Sequence, residues 1–442
     1  MRELLTVTIS LLFLSFAAAS CDDSPAFEAP VDTGADTDVD TDADADTDAD
    51  TDADTDTDAD ADADTDTDTD TDSDTDSDTD SDTDTDSDSS TDTETPAEGT
   101  WTLMFYFDAD NNLEEDMYGD ANQLEGFDVP PWLNVILLFD RAEGNYTGDG
   151  DWTGTRLYQI QRDGDTTSIT SPRLADPTYL GLTDTGDNEE LDMGSATTLE
   201  HFVQYAQATF PADNYGLFLS DHGDGWAKKA LPGAARGVCT DDSSGNMLSV
   251  QTDVGLVVAG KGIDVIGFDA CLMAMVEVAW AFKGEASYMM TSQATEPGEG
   301  WDYANWLSSW IAGGAGAAAL ASTEVVTYGA YYGTGGWSTV TQSAIDLSKL
   351  DALGTALDDF VASDDPGSHL GSQIEMGYYN YDLLEIADDA ANSELQGAVE
   401  DAVIENWNSD AAATPAGLSI YYRNSFESEY TSIQFCIDTN WC

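Results

Sequence analysis

Two short apolar runs, each followed at once by polar residues, set the strongest limit on what this chain can fold into. One covers residues 215–220 and the other covers residues 263–268. Short runs of this kind are typical of strands that are buried on both faces. Such strands occur mainly in parallel sheets covered by helices, because a sheet with one solvated face shows alternating apolar and polar residues instead.

A reactive side chain follows each of these two predicted strands. The first strand runs into His222 and the second runs into Cys271. Functional groups of an open parallel sheet collect beyond the carboxyl ends of its strands, so adjacent strands would bring the two side chains together. A free thiol has a pKa of about 8.5 and reacts as the thiolate, so it needs a nearby imidazole to take its proton. The pattern therefore predicts a catalytic pair formed by Cys271 and His222.

The residues around this pair add detail to the prediction. Gly223 lets the backbone approach a substrate closely, and the N–H groups of Gly223 and Cys271 are candidate donors to an oxyanion. A helix predicted at residues 272–282 would begin beside Cys271, where its dipole favours the thiolate. In the alternative interpretation, Cys271 is only a small buried hydrophobic residue. The joint occurrence of two strands and two reactive loops favours catalysis.

The rest of the chain alternates predicted strands with predicted helices. Further strands are expected at residues 101–107, 133–139, 156–161, 288–292, 340–345 and 418–422, and helices at residues 112–124, 195–209, 317–328, 349–361, 381–391 and 395–407. Ser195 is the expected N-cap of the second of these helices. This alternation predicts an α/β fold with a mostly parallel sheet and helices on both faces.

Four motifs in this order resemble the clostripain-like cysteine peptidases of the caspase and gingipain clan. They are WTLMFYFDADNNLE at 101–114, DHGDGW at 221–226, FDACLMAMVEVAW at 268–280 and SQATEPGEGWDY at 292–303. The separation of 49 positions between His222 and Cys271 is close to the roughly 50 that separate the pair in caspases. Asp224 departs from the family pattern, and the similarity is loose after about residue 340. The resemblance implies a caspase-like fold, cysteine endopeptidase activity and calcium as a candidate cofactor.

The resemblance also implies a substrate preference and a maturation step. In this family, the aspartate two residues before the nucleophile lies in the pocket for the side chain that precedes the scissile bond, and Asp269 occupies that position. A carboxylate there holds arginine by paired charge-assisted hydrogen bonds and lysine by fewer, so protein or peptide substrates with basic residues are expected. Alternatively, Asp269 only caps the following helix. Family members cut themselves between histidine and cysteine, and Lys228, Lys229 and Arg236 are the candidate cleavage sites.

Residues 1–20 are predicted to be an export signal. Arg2 precedes an apolar stretch at residues 4–16, and small residues at 18–20 lead directly to Cys21. This arrangement resembles a bacterial lipoprotein signal, in which Cys21 would carry a lipid that anchors the protein to a membrane. The alternative is an ordinary secretory cleavage site. Either interpretation places the mature protein outside the cytoplasm, at the cell surface or in the periplasm.

Residues 21–98 are predicted to be a disordered spacer. Within them, residues 32–92 alternate aspartate with threonine, alanine or serine and contain 29 aspartates. Almost no large apolar group is present to offset the entropy of ordering the chain. Repulsion stretches such a segment, and at about 3.3 Å per residue it could reach on the order of 200 Å. A calcium-binding array is the alternative, but calcium loops need turn glycines and a bidentate glutamate, and this stretch has only Gly34.

Residues 99–442 are predicted to form the peptidase domain, with a core at about 99–345 and a C-terminal part at 346–442 in which the similarity to the family is loose. This domain carries 54 acidic and 11 basic residues. The excess of negative charge argues against nucleic acid as a partner. A rival hypothesis is a catalytically silent surface lipoprotein that uses the fold for binding or adhesion. The presence of both His222 and Cys271 within their motifs favours the enzyme.

The other histidines and cysteines have structural interpretations. His201 and His369 follow no predicted strand, and Cys239 is expected in a polar loop. Cys436 and Cys442 are spaced for a small disulfide in an oxidising compartment. The sequence contains no zinc-ligand spacing, no Gly-x-Ser-x-Gly motif and no dinucleotide fingerprint.

Overall fold

The computed structural model describes residue 96 and residues 99–186, 189–226, 237–334, 340–374, 379–409 and 416–442. The predicted export signal, the acidic spacer with Cys21 (except residue 96), and the loop that holds Lys228, Lys229 and Arg236 lie outside these residues. Within the described part of the chain, no helix combines the length and apolar character needed to cross a membrane.

The strands of the described residues are β1 (Trp101–Ala109), β2 (Leu133–Arg141), β3 (Gly154–Gln159), β4 (Asn214–Ser220), β5 (Val238–Asp241), β6 (Asn246–Leu248), β7 (Val265–Asp269), β8 (Tyr288–Thr291), β9 (Thr341–Asp346), β10 (Asn380–Asp382), β11 (Val403–Asn408) and β12 (Ser419–Tyr421). The helices are α1 (Glu114–Leu124), α2 (Ala196–Thr209), α3 (Gly255–Val258), α4 (Val276–Trp280), α5 (Tyr303–Ala312), α6 (Ala317–Tyr332), α7 (Leu350–Ser363), α8 (Leu383–Asp389), α9 (Ser393–Ala402) and α10 (Gln434–Asp438). Ser195 caps α2 as predicted, since its side chain accepts a hydrogen bond of 3.3 Å from the N–H of Thr197.

Eight strands form the central sheet in the order β11-β9-β8-β7-β4-β1-β2-β3. The five strands from β8 to β2 are parallel to one another. Antiparallel strands close the edges, with β3 on one side and β9 and β11 on the other. The predicted mostly parallel sheet is confirmed. Two small antiparallel pairs, β5 with β6 and β10 with β12, lie outside it.

Successive side chains along each central strand pack alternately into two separate cores, one on each face of the sheet. Met104 and Tyr106 of β1 pack in one core with α2, α3, α4, α7, α8 and α9. Phe105 and Phe107 pack in the other core with α1, α5 and α6. We call these sides of the sheet the α2 face and the α1 face. The strand period of two produces this division, and helices cover both faces as predicted.

Aromatic side chains make the α1 face rigid close to the carboxyl ends of the strands. Phe105 and Phe218 stack at 5.0 Å between ring centroids. Trp306 of α5 meets Phe218 edge-on at 5.2 Å, and Trp301 meets Trp306 edge-on at 5.5 Å. Aromatic pairs at these separations stabilise a core beyond the area that they bury. The cluster holds the loop that leads from β8 to α5 against the sheet.

The helix predicted at residues 272–282 is wrong, because helical structure begins only at Val276. Leu272 has a φ of 65°, which is incompatible with a right-handed helix. The N–H of Ala274 donates to Ser292 at 2.8 Å, and its carbonyl accepts from the N–H of Ser419 at 2.9 Å. These backbone groups are therefore bound to other segments. The helix dipole predicted beside Cys271 is therefore absent, and α4 begins too far along the chain for Asp269 to cap it, since its N-cap residue is Met275.

The C-terminal part is an integral part of the sheet. The helix predicted at residues 395–407 ends at Ala402, and the following residues form β11 beside β9. The strand predicted at residues 418–422 exists as β12, but it pairs with β10 outside the main sheet. Cys436 and Cys442 are joined by a disulfide, with their Cα atoms 5.4 Å apart.

Candidate active site

The two strands that precede His222 and Cys271 lie side by side. In the parallel register of β4 and β7, Ser220 pairs with Asp269. The ladder continues one step further, because the N–H of Asp221 donates to the carbonyl of Asp269 at 3.2 Å. The segments that carry the histidine and the cysteine therefore leave the sheet at the same edge, as the sequence predicts for adjacent strands.

Gly223 packs directly on the backbone at Cys271. A Cβ atom added to Gly223 would lie 2.5 Å from the carbonyl oxygen of Cys271 and 3.0 Å from its nitrogen. It would also lie 2.9 Å from the Cβ of Ala270. These separations are too short for any side chain, so the position requires glycine. The residue after His222 is thus in van der Waals contact with the backbone of Cys271.

The sulfur of Cys271 receives a backbone hydrogen bond. Cys271 is buried, and the N–H of Glu296 donates to its Sγ at 3.2 Å. A donor aimed at the sulfur favours its negatively charged form. This contact takes the place of the helix dipole that the sequence predicted. Glu296 lies within the motif at residues 292–303, but nothing in that motif predicts that its N–H contacts the sulfur of Cys271.

A third strand contributes to the position of His222. The Oδ1 of Asn112, which follows β1, lies 2.9 Å from Nε2 of His222. An amide oxygen only accepts, so Nε2 carries the proton of the neutral ring and Nδ1 carries the lone pair. Asn111 donates to Asp221 Oδ1 at 2.7 Å, and the N–H of Thr240 donates to the other oxygen of that carboxylate. The loop that carries the histidine is held from both sides.

A pocket opens beside Cys271 on the α1 face. It contains about 290 Å³ of empty space, part of it open to solvent, and Asp120, Asp269, Glu296 and Gly300 line it together with Cys271. Asp269 Oδ2 accepts hydrogen bonds from the hydroxyl of Tyr303 at 2.7 Å and from the N–H of Trp301 at 3.2 Å.

Two carboxylates converge on Gly300 in this pocket. A Cβ atom on Gly300 would lie 2.6 Å from Asp120 Oδ2 and 2.7 Å from Asp269 Oδ2. Gly300 has a φ of 59°, which glycine adopts without strain. Asp120 Oδ2 has no hydrogen-bond partner among the described residues. Sequence reasoning missed Asp120 because it lies on α1, 149 residues before its neighbour Asp269.

The pocket carries more acid than its own residues neutralise. Burial raises the pKa of Asp269, although hydrogen bonds with Glu296, Tyr303 and Trp301 lower it in part. Burial and the charge of Asp269 raise the pKa of both Glu296 and Asp120 well above the usual range. None of the ion pairs within the described residues involves these three acids. The pocket is therefore suited to a cationic side chain.

The other candidate residues of the sequence have structural surroundings. His201 lies on α2 with its ring 6.3 Å from the ring of Tyr179. His369 bridges Asp364 and Asp389 at 3.2 and 2.9 Å. Cys239 is not in a loop, as the sequence suggested, but is a fully buried free thiol in β5. Burial raises the pKa of the Cys239 thiol, which makes it a poor nucleophile.

Comparison with known proteins identifies the family. A family model described as the Clostripain family matches residues 105–414. Clostripain from Hathewaya histolytica is 30% identical over 233 residues, which cover 48% of this chain. The match spans 42% of that clostripain, less than half of its length.

Two solved structures share the fold. A secreted C11 cysteine protease from Bacteroides thetaiotaomicron, in complex with an irreversible peptide inhibitor, superimposes with a TM-score of 0.61 and 20% identity over 78% of this chain and 99% of that chain. An inactive zymogen C11 protease from Parabacteroides distasonis gives a TM-score of 0.58 and 21% identity over the same shares of the two chains. Since the family model covers well over half of the sequence, the chain belongs to the clostripain family of cysteine peptidases.

Proposed function

We propose that the protein is an exported cysteine endopeptidase in which Cys271 attacks the peptide carbonyl and His222 moves the proton. The contact of Gly223 with the backbone of Cys271 carries this proposal, because it brings the loop of the histidine onto the cysteine. The hydrogen bond from Glu296 to the sulfur supports the nucleophile, and the contact with Asn112 supports the orientation of the base.

The reaction follows from these positions. The Cys271 thiolate attacks the carbonyl carbon, and the N–H groups of Cys271 and Gly223 donate to the oxyanion that forms. Gly223 and Val238 form an antiparallel bridge in which the N–H of Asp224 donates to the carbonyl of Gly237 at 3.0 Å. This bond does not use the N–H of Gly223, which supports the role of that N–H as a donor to the oxyanion. His222 then gives its proton to the leaving amine, and water hydrolyses the thioester.

The acidic pocket supports cleavage after arginine, with lysine weaker. Asp269 and Asp120 present two carboxylate oxygens to one point above Gly300. A guanidinium can bind both carboxylates at once through its planar fork, whereas an ammonium is a point charge with fewer directed donors. The preferred substrates are therefore proteins or peptides with an arginine before the scissile bond.

The decisive experiment compares variants of the purified protein on short fluorogenic peptides ending in Arg, Lys, Asp or Asn. Cys271→Ala and His222→Ala should each abolish turnover, and the double variant should be no worse, because residues that act as a unit are not additive. Cys239→Ala and His201→Ala are the matched controls and should retain turnover. Retained activity in Cys271→Ala would overturn the peptidase proposal and leave the silent binding protein as the explanation.

We also propose that the protein is anchored outside the cytoplasm through a lipid on Cys21, with residues 21–98 as the spacer. The signal-like residues 1–20 support export. Mass spectrometry of the mature protein tests this proposal, since a lipid on Cys21 adds a defined mass to the N-terminal peptide. A mature chain that begins elsewhere, or an unmodified Cys21, would contradict the anchor.

Self-cleavage in the loop between histidine and cysteine is proposed at Lys229 or Arg236, with Lys228 as a further candidate. The basis is the occurrence of three basic residues in a chain that has only 12 in total, together with the specificity proposed above. Intact-mass measurement of active protein should show two fragments. One intact chain in fully active protein would count against this maturation step.

A further inference from the structure

A second group of acids lies at the carboxyl edge of the sheet, on the α2 face. One carboxylate oxygen each from Asp110, Asp140, Glu190 and Asp241 lie within 4.8 Å of one another. Asp110 follows β1, Asp140 lies on β2, Glu190 precedes α2 and Asp241 ends β5. The first, second and fourth of these are buried, and Glu190 is exposed. Four segments that are distant in sequence therefore bring carboxylates to one place.

Hydrogen bonds hold these carboxylates in position. The hydroxyl of Thr155 donates to Asp140 Oδ1 at 2.7 Å and accepts from the N–H of Leu191 at 2.9 Å. The N–H of Met193 donates to Asp241 Oδ2 at 2.8 Å. The segment around Glu190 is thereby fixed to both Asp140 and Asp241.

Buried oxygens without donors provide an independent observation. Asp140 Oδ2 and both carboxylate oxygens of Asp108 have no hydrogen-bond partner among the described residues, although both side chains are 0% exposed. Asp108 pairs with Asp140 in the parallel register, so the two side chains point to the same face. A carboxylate in this position is costly to bury unless a cation or a proton neutralises it.

We propose that Asp110, Asp140, Glu190 and Asp241 bind a Ca²⁺ ion, with Asp108 behind it as a further source of negative charge. The donors are all carboxylate oxygens, which hard cations prefer. Ca²⁺–oxygen distances of about 2.3–2.6 Å place ligands on opposite sides of the ion about 4.6–5.2 Å apart, which accommodates the observed separation. Mg²⁺ requires a tighter octahedron at about 2.0–2.1 Å. The residues therefore fit the calcium ion that the family resemblance suggested.

The position of this site connects it to the histidine loop. Asp110 precedes Asn111 and Asn112, whose side chains contact Asp221 and His222. An ion bound by Asp110 fixes the start of this loop, so ion binding and the position of His222 are coupled. The site itself lies on the opposite face of the sheet from the acidic pocket and does not depend on the proposed catalysis.

The test is terbium luminescence on the full chain, followed by displacement with Ca²⁺. Residues 1–100 contain no tyrosine or tryptophan, so ions that bind the acidic spacer are not sensitised. Tyr106 lies two residues from Asp108 on the same face of β1 and can sensitise an ion at the proposed site. We expect Ca²⁺ to displace Tb³⁺. We also expect 1 mM Ca²⁺ to raise the Tm by several degrees relative to EDTA, because a ligand that binds only the folded state stabilises it.

Variants locate the site. Glu190→Gln removes one ligand at an exposed position, and Asp140→Asn removes a buried one. Each should weaken Ca²⁺ binding about ten-fold or more, because ligand charge sets the affinity of such sites. Glu400→Gln, on the exposed surface of α9, is the matched control. If Asp140→Asn does not fold, Glu190→Gln decides the outcome. Affinity of Glu190→Gln within two-fold of the control, or displacement of Tb³⁺ by Mg²⁺ as readily as by Ca²⁺, would overturn the proposal.

Discussion

The side-chain oxygen of Asn112 lies 2.9 Å from Nε2 of His222. This contact links the loop after β1 to the loop after β4, so two adjacent strands of the sheet take part in placing one imidazole. Because the oxygen only accepts, it fixes the tautomer whose lone pair is on Nδ1. Asn112 is therefore a positioning residue for the proposed base.

Asn112→Ala should lower kcat about three- to ten-fold with little change in KM, in line with the roughly 0.5–1.5 kcal/mol of one hydrogen bond. Asn112→Asp provides the matched test, because a carboxylate at this position stabilises the imidazolium and raises the pKa of His222. The limb of the pH–rate profile that reports the histidine should then move to higher pH. A purely structural role for Asn112 predicts no such movement.

Variants of the acidic pocket should distinguish the contributions of Asp269 and Asp120 to the turnover of arginine peptides. Asp269→Asn should lower kcat/KM for arginine peptides by roughly one to three orders of magnitude, in line with the loss of a buried charged partner at about 2–4 kcal/mol. Asp120→Asn should reduce the same constant about ten-fold, since the guanidinium keeps its contact with Asp269. Asp128→Asn is the control, because it removes a charge from an exposed ion pair with Arg162 that contributes little to stability.

The same pocket should respond to pH. Burial raises the pKa of Asp269, and arginine binding needs the ionised form. Arginine turnover should therefore fall on acidification at a higher pH than an ordinary aspartate would cause. Unchanged arginine turnover in Asp269→Asn would reject this residue as the specificity determinant, and a preference for Asp or Asn peptides would reject basic specificity altogether.

Strands were the most predictable part of this fold. β4 and β7 are continuous apolar runs, and their burial on both faces leaves that signature in the sequence itself. The same reasoning fails after Cys271. The apolar residues there have a helical pattern, but their backbone groups form hydrogen bonds with distant segments of the chain. The carbonyl of Ala274 accepts a hydrogen bond from the hydroxyl of Ser419, which lies 145 residues further along the chain. No local pattern in the sequence predicts that contact.

The candidate site shows the same division between local and distant information. His222, Cys271 and Asp269 each follow a strand directly, so the sequence could identify them. Asp120 lies on a helix and Glu296 in a loop, and their roles depend on how those segments pack. The helix α5 could have been found from the sequence, because Trp306 and Trp310 are four residues apart, which is the spacing of one helix face.

Glu277 at the start of α4 should make stability depend on pH. It is buried, and its Oε1 accepts from the hydroxyl of Tyr430 at 2.6 Å and from the N–H of Tyr421 at 2.9 Å. Burial raises its pKa to about 7, above the ordinary value near 4.5. The folded state therefore holds a proton that the unfolded state releases as pH rises through this window, and stability falls. Above pH 7 the cost is constant at about 3 kcal/mol.

Glu277→Gln removes this dependence while its side-chain oxygen still accepts both hydrogen bonds. Denaturant unfolding at pH 8 should show the variant more stable than the wild type by up to about 3 kcal/mol, whereas the two should agree within about 1 kcal/mol at pH 4.5. Glu400→Gln at an exposed position should show no such difference. An equal effect of Glu277→Gln at both pH values would mean that the residue acts through packing rather than through its charge.

Arg141 and Glu114 form an ion pair in which both side chains are 0% exposed, with Arg141 Nε 2.6 Å from Glu114 Oε1. The guanidinium also lies 5.0, 5.5 and 4.6 Å from the rings of Tyr118, Tyr146 and Trp152. The pair joins the end of β2 to the start of α1, the helix that carries Asp120. Cation–π contact and desolvation both favour arginine over lysine here.

Arg141→Met should destabilise the protein by about 3–5 kcal/mol at pH 8, because it leaves Glu114 buried and unpaired. Adding Glu114→Gln should recover at least half of this loss, since the second change removes the uncompensated charge. The loss should also shrink on acidification: burial already raises the pKa of Glu114 against the opposing effect of Arg141, so without that arginine the carboxyl takes up a proton more readily. Denaturant unfolding of the wild type and the two variants at pH 5 and pH 8 measures these differences. A loss that is the same at both pH values and is not relieved in the double variant would show that Arg141 stabilises the fold through its contacts with the aromatic rings alone.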